Sequence, residues 1–188
     1  MRIWILGRTL FLVALLGVAC GSADGPDKKA GASTKPANKP AAAEAPSAPS
    51  VATKAQPKLR TIKLWLGAEE MITEIAASEK EIMTGMMFRT EMAENEGMLF
   101  ILPGAQRAAF WMRNTLIPLS GAYIDPDGTI LEIHDMKPKD ETPIPAKVTN
   151  ILYVLEVKQG WFERHKIAVG TQIRSERGTL AQTFFQRR

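Results

Sequence analysis

Residues 97–102 (GMLFIL) decide the fold class of this chain. The run is uninterrupted by polar side chains and ends at residues 103–104 (PG), a combination typical of a strand buried on both faces. Upstream, residues 59–66 (LRTIKLWL) alternate with the period of two expected for a half-buried strand. Downstream, residues 125–128 (DPDG) form a tight-turn signal, because Pro presets one backbone angle and Gly accepts positive φ. Together these segments predict a sheet of short strands.

The rest of the globular part follows the same pattern. Further strands are predicted at residues 71–77, 108–112, 122–125, 129–136, 151–158 and 171–174. Ser78 with Glu81 three places later forms a capping box that opens a short helix, and residues 160–165 fit one helical turn. We therefore predict a mainly β fold, a single antiparallel sandwich or barrel with one or two short helices. It spans residues 59–176, followed by a loose C-terminal tail at residues 177–188.

The N-terminus predicts export. Residues 1–20 combine two arginines, an apolar run at residues 9–18 that is too short to span a bilayer, and small residues before Cys20. This order indicates a signal peptide, and Cys20 resembles the lipidated cysteine of a bacterial lipobox, although Gly17 stands where that pattern usually has Leu. The alternative is an ordinary cleaved signal with an incidental thiol. We expect an exported protein anchored in the cell envelope, periplasmic or associated with the outer membrane, with the membrane as a partner through the lipid on Cys20.

Residues 21–58 predict a disordered tether. They are nearly all Ala, Pro, Lys, Ser, Gly, Thr and Asn, and such a segment cannot bury enough surface to offset its chain entropy. Residues 1–58 also hold eight basic side chains against three acidic ones, whereas residues 59–188 hold 16 basic and 17 acidic ones. A globular part with that balance carries no footprint for phosphates, so no nucleic acid is expected as a partner.

Several motifs resemble one prokaryotic family. In order they are residues 84–89 (TGMMFR), 96–100 (EGMLF), 110–119 (FWMRNTLIPL), 123–125 (YID) with Gly128, and 154–157 (VLEV) with residues 160–162 (GWF). They match the signature blocks of the family catalogued as domain of unknown function 192, over roughly residues 60–174. The resemblance implies a compact, mostly β domain of jelly-roll or barrel type, often exported. It implies no established reaction.

One position departs from the family pattern. After residues 118–119 (PL) the family usually has Asp followed by an apolar residue, whereas this chain has Ser120 and Gly121. If the usual Asp were a catalytic base or metal ligand, this chain would lack it. If it only forms hydrogen bonds nearby, Ser120 can substitute in part as donor and acceptor.

The block around Trp111 is the best candidate for a binding site. The block places a flat ring (Trp111) beside a cation (Arg113), an amide (Asn114) and a hydroxyl (Thr115). These groups suit stacking and hydrogen bonding to a small polar molecule. Arg89 and His134 complete the candidate set. In the alternative interpretation, Trp111 is core and Arg113 with Asn114 only closes a turn. We predict a non-catalytic binding module for a small polar ligand or an envelope partner, with no cofactor and no metal.

Two rival functions remain open at this point. The first is a hydrolase that uses His134 with Asp125 or Glu156, although Glu156 lies in an apolar strand where an ion pair with Arg89 or Arg113 is the simpler expectation. The second is Cu(I) binding, because thioethers suit that ion and Met83, Met86 and Met87 lie within a turn or two of one another. Against copper, methionine is also an ordinary filler of irregular cores.

Overall fold

The computed structural model describes residues 52–186, so the predicted signal peptide, Cys20 and residues 21–51 of the predicted tether lie outside the described residues. The strands are β1 (Thr61–Leu66), β2 (Glu69–Ala76), β3 (Glu96–Gln106), β4 (Ala109–Phe110), β5 (Leu119–Ile124), β6 (Ile130–Met136), β7 (Ile144–Pro145), β8 (Ile151–Lys158), β9 (Ile173–Ser175) and β10 (Gly178–Thr179). The helices are α1 (Glu79–Thr84), α2 (Trp161–Arg164) and α3 (Leu180–Phe184). No helix within residues 52–186 has the length and hydropathy needed to cross a membrane.

The predicted buried strand lies at the centre of the main sheet. Residues 97–102 of β3 are all buried, and the sheet order is β10-β9-β1-β2-β3-β8-β5-β6. The remaining strands, β4 and β7, form a separate two-stranded sheet. The strand does not end at Pro103 as predicted but continues to Gln106, with a register shift against β8 between Ile101 and Gln106. Proline is tolerated at such an irregularity because no ladder hydrogen bond is required of it there.

The main sheet curls without closing. Its edge strand β6 meets the segment before β9 at one end, where the Ile130 amide donates to the Thr171 carbonyl at 2.9 Å and Thr129 bridges Gln172. All pairs of strands are antiparallel except β2 with β3. The structure thus confirms a mainly β, barrel-like fold, with one parallel pair that the sequence did not predict.

Each face of the curled sheet carries its own apolar core. Leu64, Leu99, Leu155 and Trp161 belong to the first cluster, which α2 and α3 help to cover. The second cluster includes Met98, Phe100, Val154 and Tyr123. It is covered by Ile82 of α1 and by Phe110 and Ile144 of the small sheet. This second face, which we call the outer face, is the one that supports the candidate site.

The parallel pair explains why α1 lies over the outer face. Parallel neighbours cannot be joined by a hairpin and need a crossover connection. Residues 77–95 supply it, and they contain α1, whose capping box between Ser78 and Glu81 is formed as predicted. The crossover brings residues 84–89 above β3.

Both predicted boundaries of the domain need correction. Residues 177–188 were predicted to be a loose tail, which is wrong for residues 178–184: they form β10 and α3, with a Thr179–Gln182 capping box and with Leu180 fully buried. At the other end, the Gln56 side-chain amide, in the predicted tether, donates to the Gly85 carbonyl at 2.9 Å. It satisfies a carbonyl at the end of α1 that has no partner inside the helix.

Candidate functional site

A cavity of about 110 Å³ lies between the crossover and the segment before β5, on the outer face. Its walls come mostly from two of the signature blocks and the residues just before them, and its floor comes from β3 and β8. The lining residues are Ile82, Met83, Thr84, Gly85, Met86, Met87, Ala109, Phe110, Trp111, Arg113 and Thr115 for the walls, with Phe100 and Glu156 for the floor. We refer to it as the Glu156 cavity.

The first wall depends on a glycine. Gly85 ends α1 with φ of 47°, and a Cβ placed there would lie 3.2 Å from the Phe100 ring. Only glycine combines this backbone conformation with so close an approach. The turn it permits brings Met86 and Met87, which are both buried, to the cavity.

The second wall holds the exposed aromatic ring. Trp111 is 37% exposed, and the Arg113 guanidinium carbon lies 5.5 Å from the centre of its ring, within the range of a cation–π contact. Within residues 52–186 the Arg113 guanidinium has no hydrogen bond or ion pair. Buried Thr115 donates its hydroxyl to the Arg113 carbonyl at 3.4 Å. The Arg113 guanidinium is therefore held beside an aromatic face without being neutralised.

The two walls are joined through a turn. Asn114 has φ of 55°, a conformation that asparagine tolerates better than most residues. Its carbonyl accepts a hydrogen bond from the Phe88 amide at 2.8 Å, and Phe88 itself has φ of 61°. Asn114 thus shapes the site through its backbone rather than by lining the cavity.

Glu156 on the floor is the most unusual group of the site. It is 4% exposed, and in the ladder it lies between Met98 of β3 and Gly121 of β5. No hydrogen bond or ion pair to its carboxyl group is present in the described part of the chain. Burial raises the pKa of Glu156 to about 8. The carboxyl group is therefore mostly protonated at neutral pH.

The expected ion pair of Glu156 with Arg89 or Arg113 is wrong. Arg89 instead forms a bidentate pair with Glu74 of β2, at 2.6 and 2.8 Å. A fork of this kind satisfies both carboxylate oxygens and ties the end of the crossover to the sheet. Arg89, one of the predicted site residues, therefore has a structural partner away from the cavity.

His134 is also placed outside the cavity. Its Nε2 atom lies 3.0 Å from Glu132, and its ring centre lies 5.4 Å from that of Tyr123. His134 is opposite Gly121, two strands away from Glu156, which places their backbones about 10 Å apart. Asp125 accepts from the amides of Asp127 and Thr129 within its own turn. The predicted pairing of His134 with Asp125 or Glu156 is therefore not formed.

The methionines line the core, the Glu156 cavity or both. Met71, Met98, Met112 and Met136 are core residues, in agreement with the packing interpretation. Met92 packs against the second cluster, and Met86 belongs both to that cluster and to the cavity. Met83, Met86 and Met87 line the Glu156 cavity together, and Met83 is 51% exposed. Within residues 52–186, no group of three or more His, Cys, Asp or Glu side chains is placed to hold a metal ion.

Ser120, at the position that departs from the family pattern, connects elements instead of facing the cavity. Its hydroxyl donates to Asp135 of β6 and accepts from the Gly160 amide at 2.8 Å. The hydroxyl thus acts as both donor and acceptor, so hydrogen bonding is maintained at this position without the usual carboxylate.

Both wall blocks lie within a segment that matches a known family. The model of the family DUF192, described as an uncharacterized ACR, matches residues 63–175. The chain belongs to the DUF192 family. Among curated proteins, none matches this member.

Two solved structures are similar to this DUF192 chain. A protein of unknown function from Novosphingobium aromaticivorans is 32% identical with a TM-score of 0.57, and the match covers 69% of this chain and 94% of that one. A proposed transcription regulator from Sinorhizobium meliloti is 28% identical with a TM-score of 0.60, and the match covers 64% of this chain and 98% of that one. The matched part of this chain thus corresponds to nearly the whole of those two chains.

The site combines residues that were predicted with residues that were missed. Of the predicted binding residues, Trp111, Arg113 and Thr115 line the cavity. Thr84 was missed, and the sequence indicated Met87 and Glu156 only for the rival copper and hydrolase functions. The sequence did contain a signal for the wall formed by residues 84–87. Both blocks have an aromatic residue and a methionine followed by arginine, at residues 87–89 (MFR) and 111–113 (WMR). The assembled cavity offers one buried acid, one guanidinium, two hydroxyls and an aromatic wall. These groups suit the binding of a small polar molecule.

Proposed function

We propose that this chain is an exported, lipid-anchored binding protein whose β domain captures a small polar ligand in the Glu156 cavity. The observation that carries the proposal is the buried carboxyl group of Glu156, which faces a cavity and has no hydrogen-bond or ion-pair partner among residues 52–186. Burying a polar group without a hydrogen bond costs free energy, so a buried acid at a cavity calls for a partner. A ligand that supplies the missing partner recovers part of that cost.

The wall opposite the acid supports recognition of a polar ligand. Trp111 offers an exposed ring, and Arg113 offers donors that no protein group occupies in residues 52–186. Arginine presents a planar fork that matches carboxylates and other paired oxygens. The hydroxyl groups of Thr84 and Thr115 belong to the same wall. The site therefore has separate groups for the two ends of a polar molecule.

Mutation of Arg113 tests the binding site. Arg113→Ala removes a cation–π contact of a half-buried arginine, worth about 1 kcal/mol, so the melting temperature of the variant should stay close to that of the wild type. Thermal-shift screening with amino acids, hydroxy acids and sugars should find stabilising compounds for the wild type that fail with Arg113→Ala. Arg174→Ala, which removes an exposed arginine of β9, is the matched control and should retain every response. Equal responses from both variants would refute the proposed site.

Mutation of Cys20 tests the anchor. Because Cys20 is the one cysteine of the chain, Cys20→Ser should move the protein from the membrane fraction to the soluble fraction. A serine variant that still pellets with membranes after a high-salt wash would contradict the lipid anchor. The wash removes binding that depends only on the basic residues of the tether.

A second candidate function is Cu(I) binding by Met83, Met86 and Met87. The observation in its favour is that these three side chains line one cavity together. Thioether ligands select Cu(I) among the first-row metals. Competition with a Cu(I) chelator should then show binding that Met86→Leu with Met87→Leu abolishes, while Met71→Leu in the core leaves it intact. Equal competition by all variants would remove this candidate.

A further inference from the structure

We infer that the ligand of the Glu156 cavity is a small zwitterion with an apolar arm, an amino-acid-like molecule whose ammonium group meets Glu156 and whose carboxylate meets Arg113. This inference rests on the proposed function and names the class of ligand. Three features of the cavity carry it: an acid on its floor and a cation on its wall, neither of which is paired within residues 52–186, and a larger, mostly apolar cavity beside it.

The acid on the floor favours an ammonium group. Glu156 is 4% exposed, its neighbours in the ladder are Met98 and Gly121, and the cavity wall adds Met86 and Met87. In such apolar surroundings a carboxylate is stabilised most by a charged donor, because hydrogen bonds between charged groups are about twice as strong as neutral ones. An ammonium group supplies both the charge and several donors.

The other titratable groups near Glu156 leave that role to the ligand. Tyr123 of β5 donates its hydroxyl to the Ile144 carbonyl, and His134 of β6 is paired with Glu132. Arg113 lies on the cavity wall but forms no ion pair with the acid. Lys158, two residues further along β8, points to the surface, where it lies 3.7 Å from Glu94.

The cation on the wall requires that the ligand also carry an anion. A ligand with only a positive charge would be repelled by Arg113, whose guanidinium is fixed over Trp111 at 5.5 Å. A carboxylate on the ligand turns this repulsion into attraction and can bind the guanidinium in a bidentate manner. Glu156 and Arg113 line the same cavity of about 110 Å³, which is well above the roughly 10–15 Å³ that one water needs. A compact zwitterionic head group matches this arrangement.

A neighbouring cavity accounts for the apolar arm. It measures about 480 Å³ and shares Ile82, Met83, Ala109 and Phe110 with the Glu156 cavity, and Leu102 extends its apolar wall. Because the shared residues are all apolar, an arm that leaves the head group in this direction meets hydrocarbon. Glu79, Gln106 and Arg107 add polar groups to its lining.

Binding of such a ligand should release a proton. Since burial raises the pKa of Glu156 to about 8, its carboxyl group is largely protonated in the unliganded protein at pH 7. An ammonium group beside it favours the carboxylate. The proton of the carboxylic acid then passes to the buffer, and the ligand keeps its own protons.

Calorimetric titration of the detergent-solubilised full chain with a matched set of probes tests the inference. L-Norleucine carries all three features, 1-aminopentane lacks the carboxylate and hexanoate lacks the ammonium group. We expect norleucine to bind at least tenfold more tightly than either analogue. Affinity should rise about fourfold per methylene from alanine to norleucine. Titration in two buffers with different ionisation enthalpies should show that close to one proton is released at pH 7.

The variants separate the two levels of the proposal. Glu156→Gln should abolish proton release and lower the affinity for norleucine at least tenfold. The affinity for hexanoate, which needs only Arg113, should change little. If hexanoate or a sugar binds the wild type but not Arg113→Ala, and norleucine binds no better, the zwitterion inference is wrong and the proposed binding site stands. If none of these compounds binds in a way that depends on Arg113 or Glu156, both are wrong.

Discussion

Replacement of Glu156 by glutamine should make the protein more stable at neutral and alkaline pH. Glutamine has nearly the same shape and remains neutral, so it keeps the packing beside Met98 and Gly121 but removes the ionisation. Burial raises the pKa of Glu156 from 4.5 to about 8. In the unfolded chain this carboxyl group loses its proton near pH 4.5, whereas the folded protein keeps it up to about pH 8. Unfolding therefore releases a proton in this range, and the free energy of unfolding falls as pH rises.

The magnitude follows from that difference in pKa. Each pH unit between the two values corresponds to about 1.4 kcal/mol, which gives a total on the order of 5 kcal/mol by pH 8. At pH 5 the wild type and Glu156→Gln should have nearly equal stability. At pH 8 the variant should exceed the wild type by several kcal/mol, a large fraction of the stability of a typical domain.

Urea unfolding at pH 5, 6, 7 and 8 measures this effect. Glu141→Gln is the control, because Glu141 is exposed and surface charges contribute little to stability. A plot of its free energy of unfolding against pH should run parallel to that of the wild type. If the Glu156→Gln profile also runs parallel to the wild type from pH 5 to pH 8, Glu156 is not a buried proton-binding group and the reasoning about the site is refuted.

Three further substitutions test the framework around the site, each by thermal and urea unfolding. Leu99→Ala should cost about 2–5 kcal/mol because Leu99 is fully buried in β3, and a loss below 1 kcal/mol would contradict its place in the core. Glu74→Gln should lower the free energy of unfolding by about 3 kcal/mol, because half-buried Arg89 loses its bidentate partner. Glu70→Gln, an exposed change on the same strand, is the control. Leu180→Ala should also cost about 2–5 kcal/mol, and an unchanged melting temperature would show that α3 does not belong to the core.

The β elements were predictable because their signals are local. The apolar run at residues 97–102 and the turn at residues 125–128 each specify a conformation without reference to the rest of the chain. The same holds for the capping box at Ser78 and Glu81. The parallel pairing of β2 with β3 was not predictable in this way, because it depends on how the crossover folds back over the sheet.

The error at the C-terminus has a specific cause. A two-residue strand and a five-residue helix are too short to show a periodic pattern. The Thr179–Gln182 capping box was present in the sequence, and with Leu180 after it, it marks a helix start. Short terminal elements of this kind are stabilised by the core they cover, so their signal is a single buried residue.

The site was predicted only in part because ion pairs are chosen by three-dimensional proximity. The sequence indicated that Glu156 lies in an apolar strand and that Arg89 and Arg113 were available partners. It contained no sign that Arg89 would pair with Glu74, since that contact depends on the crossover. The result is an acid left without a partner at a cavity, which is the feature that turns the Trp111 block from a turn into a candidate binding site.

The most direct test of the account is a crystal structure of the protein soaked with small amino acids, hydroxy acids and sugars in separate experiments. We expect a bound molecule in the Glu156 cavity, with polar atoms within hydrogen-bond distance of the Glu156 carboxyl and the Arg113 guanidinium and with its density lost in Glu156→Gln crystals. A compound that binds the protein tightly in solution but lies elsewhere in the crystal, with Glu156 still unpaired, would contradict the central claim.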